Sequence, residues 1–130
     1  MPQGSLISVV EDDLSFRESL KRLLRSLGYT VVAFPAAADF VTSPHLVETA
    51  CLIADVHMPV MTGDELYRHL LNAEHPIPTI LVTAYPDDVV RTRALNDGVV
   101  CYLHKPLDES QLMRCLRSAL EADKSPEENS

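Results

Sequence analysis

Apolar positions along the chain come in two alternating textures, short solid runs and longer stripes at helical spacing. Leu6, Ile7, Val9 and Val10 form a run that stops abruptly at Glu11-Asp12-Asp13. Behind it Phe16, Leu20, Leu23, Leu24 and Leu27 recur at helical spacing, with Arg17, Glu18, Lys21, Arg22 and Arg25 on the other face. Asp13 or Ser15 can cap this helix, and Gly28 stands just past its end, where a left-handed residue is wanted. Residues 30–34 then read as a β-branched strand, followed by a weak helix around 36–42. The rhythm returns with a strand at 51–54 ending at Asp55, a Met-Pro-containing loop, Gly63 and a helical segment at 64–73. Residues 78–83 form the next strand, and Pro86 suits the first turn of a helix that reaches Asn96, with Gly98 beyond it. Residues 99–104 are the fifth strand. Residues 108–121 are the last helix, with Asp108 and Gln111 at capping-box spacing and Leu112, Leu116, Ala119 and Leu120 on one face.

Five strands alternating with five helices predict an α/β fold, a doubly wound parallel sheet with helices on both faces and right-handed crossovers. Several strand runs are apolar without alternation, as expected when both faces are covered. A length of 130 residues with 46% hydrophobic content fits one ordered domain, placed here at residues 5–121. Residues 122–130 have the composition of an acidic tail or of the start of an interdomain linker. The formal charge of −8 argues against this domain gripping nucleic acid or an anionic membrane directly. No apolar run approaches the roughly 20 residues that span a bilayer, and residues 1–5 have no secretory signature, so a cytoplasmic location is expected. Cys51, Cys101 and Cys115 contain no CxxC pair and are expected to be buried thiols in a reducing compartment.

In an open α/β sheet, ligands bind outside the carboxyl ends of the strands. Strand one ends in Glu11, Asp12 and Asp13, strand three in Asp55, strand four in Thr83, and strand five in His104 and Lys105. Strand two ends in Phe34-Pro35, which offers no functional group. Each of these endings alone is commonplace: a solvated turn, a helix cap, a closing hydroxyl. Four of them bearing complementary groups at one edge make a constellation that periodicity does not require. Crowded carboxylates raise one another's pKa or recruit a cation. Lys105 offsets one charge, and a hard divalent ion with oxygen ligands, Mg²⁺ foremost, suits the remainder. Zinc fits less well, because no His or Cys cluster has ligand spacing.

The set Val10-Glu11-Asp12, Asp55-Val56-His57-Met58-Pro59, Gly63, Val82-Thr83-Ala84 and Lys105-Pro106 resembles the receiver domain of bacterial two-component response regulators. Phe16-Arg17-Glu18-Ser19-Leu20 and Ala33-Phe34 further resemble the FixJ-like subgroup, whose members carry a C-terminal helix-turn-helix domain. The resemblance implies a flavodoxin-like (βα)5 sheet of order 2-1-3-4-5. It implies Asp55 as phosphoacceptor for a histidine kinase or histidine-phosphotransfer domain. Mg²⁺ would be held by Asp12, by Glu11 directly or through water, by Asp55 and by the backbone carbonyl of His57. Thr83 and Lys105 would contact the phosphoryl oxygens. Thr83 and Tyr102 would relay the change to the surface made by helix four, strand five and helix five, controlling an output such as transcription, with a phosphorylation-dependent homodimer as one route. The bond between Lys105 and Pro106 would be cis. Such a chain is a signalling phosphoacceptor with self-catalysed transfer and loss of the phosphoryl group, and not a turnover enzyme.

Three positions stand apart from the family pattern. Glu11 replaces the commoner Asp and adds a methylene. His57, two residues past the phosphoacceptor, and Tyr85 are expected at the pocket mouth, where they would tune hydrolysis of the acyl phosphate. Asp13 lies beyond the matched acidic pair and can serve as a cap. The basic face of helix one, Arg17, Lys21, Arg22 and Arg25, is either solvated or a kinase-docking surface. Two rival phosphate-handling readings fit worse. A haloacid-dehalogenase-type phosphatase needs a second Asp where His57 stands, and an acidic turn after strand one would repel a flavin phosphate. A degenerate receiver that only binds proteins conflicts with the full set of Asp55, Thr83 and Lys105.

Overall fold

The computed structural model describes residues 5–128, with side chains as far as Glu121. The elements follow in the order β1 (Leu6–Val10), α1 (Leu14–Ser26), β2 (Thr30–Phe34), α2 (Ala37–Val41), a single 3-10 turn (Leu46–Glu48), β3 (Cys51–Asp55), α3 (Gly63–Asn72), β4 (Thr79–Thr83), α4 (Asp88–Asp97), β5 (Cys101–His104) and α5 (Glu109–Glu128). All four neighbouring strand pairs are parallel, and the sheet order is β2-β1-β3-β4-β5. This is the flavodoxin-like order expected above.

The sheet separates two apolar cores, which explains the solid runs in the sequence. On one side Ile7, Val9, Ile53, Ile80 and Val82 pack with Leu20 and Leu24 of α1 and with Leu112 and Leu116 of α5. On the other, Val10, Leu52, Ala54 and Leu81 meet Phe40 of α2, Leu66 and Leu70 of α3, and Ala94 of α4. Alternate residues of one strand thus face different apolar partners, and β3 and β4 are buried at every position. Ser8 is tolerated inside because its hydroxyl lies 2.7 Å from that of Thr49.

Helix boundaries follow the capping chemistry. Asp13 caps α1 by accepting the Phe16 N–H at 2.7 Å. Thr62 caps α3, completing a capping box with Glu65. The α4 cap is Asp87, which accepts from the N–H groups of Val89 and Val90. Pro86 therefore lies before the cap and not in the first turn as expected, since a free carboxylate satisfies two orphan donors and a proline satisfies none. Gly98 closes α4 at φ 114°, a left-handed conformation that favours glycine.

Two other expectations are revised. The α5 backbone stays helical to Glu128, past the apolar face that ends at Leu120. Ala122 and Lys124 are good helix formers and carry the helix past the expected end at residue 121. The cysteines are not three buried thiols: Cys101 and Cys115 form a disulfide between β5 and α5, 14 residues apart in sequence, while Cys51 is buried in β3. The pairing depends on α5 packing back over β5, which residue spacing does not encode. No helix among the described residues is long and apolar enough to cross a membrane.

Candidate functional site

The parallel ladder carries the reactive side chains to one edge. The Glu11 N–H donates to Phe34 O at 3.0 Å, so Glu11 is held as an extension of β1. Asp55 is the last residue of β3, in register with Val82. The N–H groups of Val56 and Lys105 donate to the carbonyls of Val82 and Thr83 at 2.9 and 2.8 Å. These bonds fix the backbone under Glu11, Asp55, Thr83 and Lys105 before any side chain is placed. Lys105–Pro106 is a cis peptide bond. Gly63 lets the start of α3 press against this edge, since a Cβ there would lie 2.5 Å from the Asp55 carbonyl oxygen.

Glu11 is 1% exposed and Asp55 5% exposed, so both carboxyl groups have lost most of their water. Lys105 Nζ donates to Glu11 Oε1 at 2.8 Å and lies 3.6 Å from Asp55 Oδ1. The other Glu11 oxygen accepts the Asp13 N–H at 3.0 Å. Burial pushes the Glu11 carboxyl above its ordinary range, and the Lys105 hydrogen bond only partly offsets this. Asp55 is also pushed up, first by burial and then by the Asp12 charge, with Lys105 pulling the other way. The ammonium is further held 4.1 Å from the Phe16 ring centroid.

Glu11, Asp12 and Asp55 each offer a carboxylate oxygen, all within 4.8 Å of one another. The donors are all hard oxygens, two on buried side chains and one exposed, facing a single nearby ammonium. That chemistry fits a hard divalent cation better than a thiophilic one. Asp12 is the exposed member, so an ion could reach the group from solvent. Glu11, Asp12, Asp13, Asp55, His57, Ala84, Tyr85 and Lys105 line a cleft of about 280 Å³.

Thr83 lies under the cleft, fully buried, and its Oγ1 accepts the Tyr85 N–H at 2.9 Å. Tyr102 sits half-buried on β5, and its hydroxyl accepts the N–H of Asp87, the α4 cap residue, at 3.1 Å. The His57 ring turns toward Tyr85: Nε2 is 3.4 Å from the Tyr85 carbonyl, and the rings meet edge-on with centroids 5.7 Å apart. The structure therefore gathers Glu11, Asp12, Asp55 and Lys105 directly, with His57 and Tyr85 at the mouth. Asp13 lines the cleft but also spends its carboxylate on the cap.

Two contributors were not foreseen from sequence. Phe16 reads as a core position of α1 and packs there, and it also underlies Lys105. Arg17 reads as part of a solvated face, yet its Nη1 donates to the Glu11 carbonyl at 2.8 Å and braces the loop after β1. On the same face, Lys21 pairs with Glu18 at 3.1 Å and Arg22 is exposed.

The family described as the response regulator receiver domain matches residues 7–117. Nodulation protein W of Bradyrhizobium diazoefficiens is 36% identical over 124 residues, which is 95% of this chain and 55% of that protein. The transcriptional regulatory protein FixJ of the same organism is 32% identical over 114 residues, 88% of this chain and 56% of that protein. Among solved structures, the response regulator StyR superposes with a TM-score of 0.86 at 33% identity, covering 95% of this chain and 63% of that one. The likeness to FixJ agrees with the subgroup expectation. The chain spans little more than half the length of these curated relatives.

Proposed function

The chain belongs to the response regulator receiver domain family, and on that premise we propose that Asp55 accepts a phosphoryl group from a histidine kinase or histidine-phosphotransfer domain. The observation that carries this is a nearly buried carboxylate at the end of β3, 3.6 Å from an ammonium and grouped with Glu11 and Asp12. Glu11, Asp12, Asp55 and the backbone carbonyl of His57 would hold Mg²⁺. When bound, the ion would neutralise charge spreading over the equatorial phosphoryl oxygens.

The chain's own residues do the rest. An Asp55 carboxylate oxygen attacks phosphorus in line while the phosphorus–nitrogen bond to the donor imidazole breaks, leaving an acyl phosphate. Lys105, already shared between Glu11 and Asp55, moves toward the new phosphoryl oxygens. Thr83 exchanges its acceptor role toward the Tyr85 N–H for a hydrogen bond donated to the phosphoryl group. The Tyr102 hydroxyl then leaves the α4 cap and the ring turns inward, changing the surface of α4, β5 and α5. His57 and Tyr85, in edge contact over the mouth, govern the approach of the water that hydrolyses the acyl phosphate.

The whole protein would act in the cytoplasm and couple this switch, through a phosphorylation-dependent homodimer, to a C-terminal helix-turn-helix output controlling transcription. Support comes from the regulators it resembles, FixJ among them, and from the extra length those relatives carry. DNA contact would belong to that output and not to this acidic domain. The face of α1 bearing Arg22 would meet the kinase.

The deciding experiment is direct. The chain is incubated with Mg²⁺ and a small acyl phosphate donor, and intact mass is measured for the parent and for Asp55→Asn. The parent is expected to gain one phosphoryl mass and the variant none. No gain in the parent, or an equal gain in the variant, overturns the proposal.

A further inference from the structure

We propose that Cys101 and Cys115 form a reversible thiol–disulfide modification site that sets the mobility of the chain segment carrying Tyr102 and Lys105. The disulfide closes a ring from the first residue of β5 to the second turn of α5, a sequence separation of 14. Inside that ring lie Tyr102, whose hydroxyl holds the α4 cap, and Lys105, the ammonium shared by Glu11 and Asp55. One covalent bond therefore tethers both the cation of the cleft and the aromatic residue proposed to report on it.

The location suits exchange chemistry. β5 is an edge strand, with β4 as its neighbour in the sheet, and Cys101 is half-buried there. Cys115 is 7% exposed and packs in the core under α5. Cys51 is fully buried in β3, with β4 between it and β5, so it does not compete for the pair. Cys101 and Leu103 point to the α1 and α5 side of the sheet and Tyr102 to the other, by strand alternation. The bond thus fixes one face of β5 while the residue proposed to switch occupies the opposite face. Disulfides in a reducing cytoplasm are usually transient and redox-sensing, and this inference rests on that proposed location for its biological setting.

The chemistry is thiol–disulfide exchange. A thiolate of a dithiol or glutathione-type reductant attacks Cys101 Sγ, the sulfur–sulfur bond breaks, and Cys115 departs as a thiolate and takes up a proton. A second reductant thiolate attacks the mixed disulfide and releases Cys101, which is also protonated. The reductant ends as its own disulfide, having given up two electrons. A low-molecular-weight disulfide drives the reverse reaction. The tethered state is the one seen here, with Lys105 on Glu11 and Tyr102 on the α4 cap, so tethering opposes their departure from those partners.

The full chain is poised in mixtures of reduced and oxidised glutathione, then alkylated under denaturing conditions and weighed. The expected masses shift between one and three alkyl groups across the series; a chain that stays in either form throughout overturns the proposal. Backbone amide exchange over residues 101–105 is then compared between the two forms in the absence of any phosphoryl donor. It is expected to be about fivefold faster when reduced, and equal rates overturn the proposal. With Mg²⁺ and a small acyl phosphate, the reduced form is expected to gain the phosphoryl mass about fivefold faster. Cys101→Ser and Cys115→Ser should match the reduced parent in both buffers, while Cys51→Ser keeps the difference. A phosphoryl gain absent from both forms would condemn the phosphoacceptor reading of Asp55, and the amide-exchange comparison would still decide the redox site.

Discussion

Replacing Lys105 by methionine removes the ammonium from Glu11 and Asp55 while keeping an unbranched stem over the Phe16 ring. At an effective dielectric of about 20, unit charges at the two observed separations attract by roughly 6 and 5 kcal/mol. Most of that gross attraction repays the cost of desolvating the ammonium, which is itself several kcal/mol. What the variant suffers is the other side of the account: two nearly buried carboxylates left without their counter-charge. Breaking a buried pair in this way costs about 3–5 kcal/mol, and the 16% exposure of the Lys105 side chain puts this case at the lower end. The expected loss is about 3 kcal/mol near pH 8, a shift of about 1–2 M in the urea midpoint. Its pH dependence has a fixed sign. Both carboxyl groups already titrate above their ordinary values in the folded chain, because burial disfavours their ionised forms. The folded state therefore binds more protons than the unfolded one, and stability falls as pH rises through the raised pKa values. Removing Lys105 raises them further, so the penalty is expected to shrink as pH falls toward 5 and the carboxyl groups take up protons. Urea unfolding of parent and variant in divalent-free buffer at pH 5 and pH 8 measures this. A loss below about 0.5 kcal/mol at pH 8, the range of an ordinary surface change, or a larger loss at pH 5 than at pH 8, refutes the reasoning.

Gly63→Ala is expected to cost more than about 2 kcal/mol by urea unfolding, because its Cβ would meet the Asp55 carbonyl oxygen at 2.5 Å and backbone cannot swing aside. The same variant should slow phosphoryl gain, since relief of the clash displaces the residue proposed to react. Gly98→Ala is expected to cost about 2 kcal/mol, from a left-handed φ of 114° and a 2.6 Å approach to the Tyr67 hydroxyl. In a Tyr67→Phe background that cost should fall, and a double-mutant cycle with no coupling would place the whole loss in backbone strain. His57→Ala and Tyr85→Ala are each expected to change the half-life of the phosphorylated chain. Half-lives equal to the parent's would remove both residues from any part in hydrolysis.

The sequence is most readable where one physical demand governs several residues at once. β3 and β4 are buried on both faces, so their apolar runs are solid, and the polar residue that ends each run marks the sheet edge. That is why Glu11, Asp12, Asp55 and Lys105 could be named together before any coordinate: parallel strands that all start at one edge must also end together. Reading fails where a residue serves a partner that the pattern does not include. Phe16 obeys the α1 stripe and packs against the core as its spacing says, but its ring also lies beside an ammonium contributed from 89 positions further along. Thr83 was legible as a strand-end hydroxyl, whereas its bond to the Tyr85 N–H depends on how the loop after β4 turns. Asp87 competes with Pro86 to start α4 and wins because it satisfies two backbone donors. The disulfide is the clearest case. No pattern of spacing pairs Cys101 with Cys115 until α5 is known to lie back across the edge strand.

The arrangement also explains how a change at one carboxylate can be felt at the far edge of the sheet. Lys105 holds Glu11 at 2.8 Å and Asp55 at 3.6 Å, an unequal sharing by a single cation between two carboxyl groups that burial has made costly to ionise. Adding negative charge on Asp55, as the proposed phosphoryl transfer does, strengthens its claim on that cation and weakens the claim of Glu11. The backbone under Lys105 is not free to follow, because its N–H is bonded to the Thr83 carbonyl, and Thr83 in turn orients the loop through the Tyr85 N–H. A displacement of the ammonium must then be taken up either by its own flexible stem or by β5. Where the stem absorbs it, Tyr102 stays on the α4 cap and the surface is unchanged. Where β5 yields, the Asp87 N–H loses the Tyr102 hydroxyl, and α4 loses one contact that fixes its start. The share taken by β5 is the quantity that the Cys101–Cys115 bond would control, since it anchors that strand at its first residue, directly before Tyr102. Phosphoryl charge and thiol oxidation would therefore act on the same short strand from opposite ends, one pulling at its carboxyl end and the other holding its start.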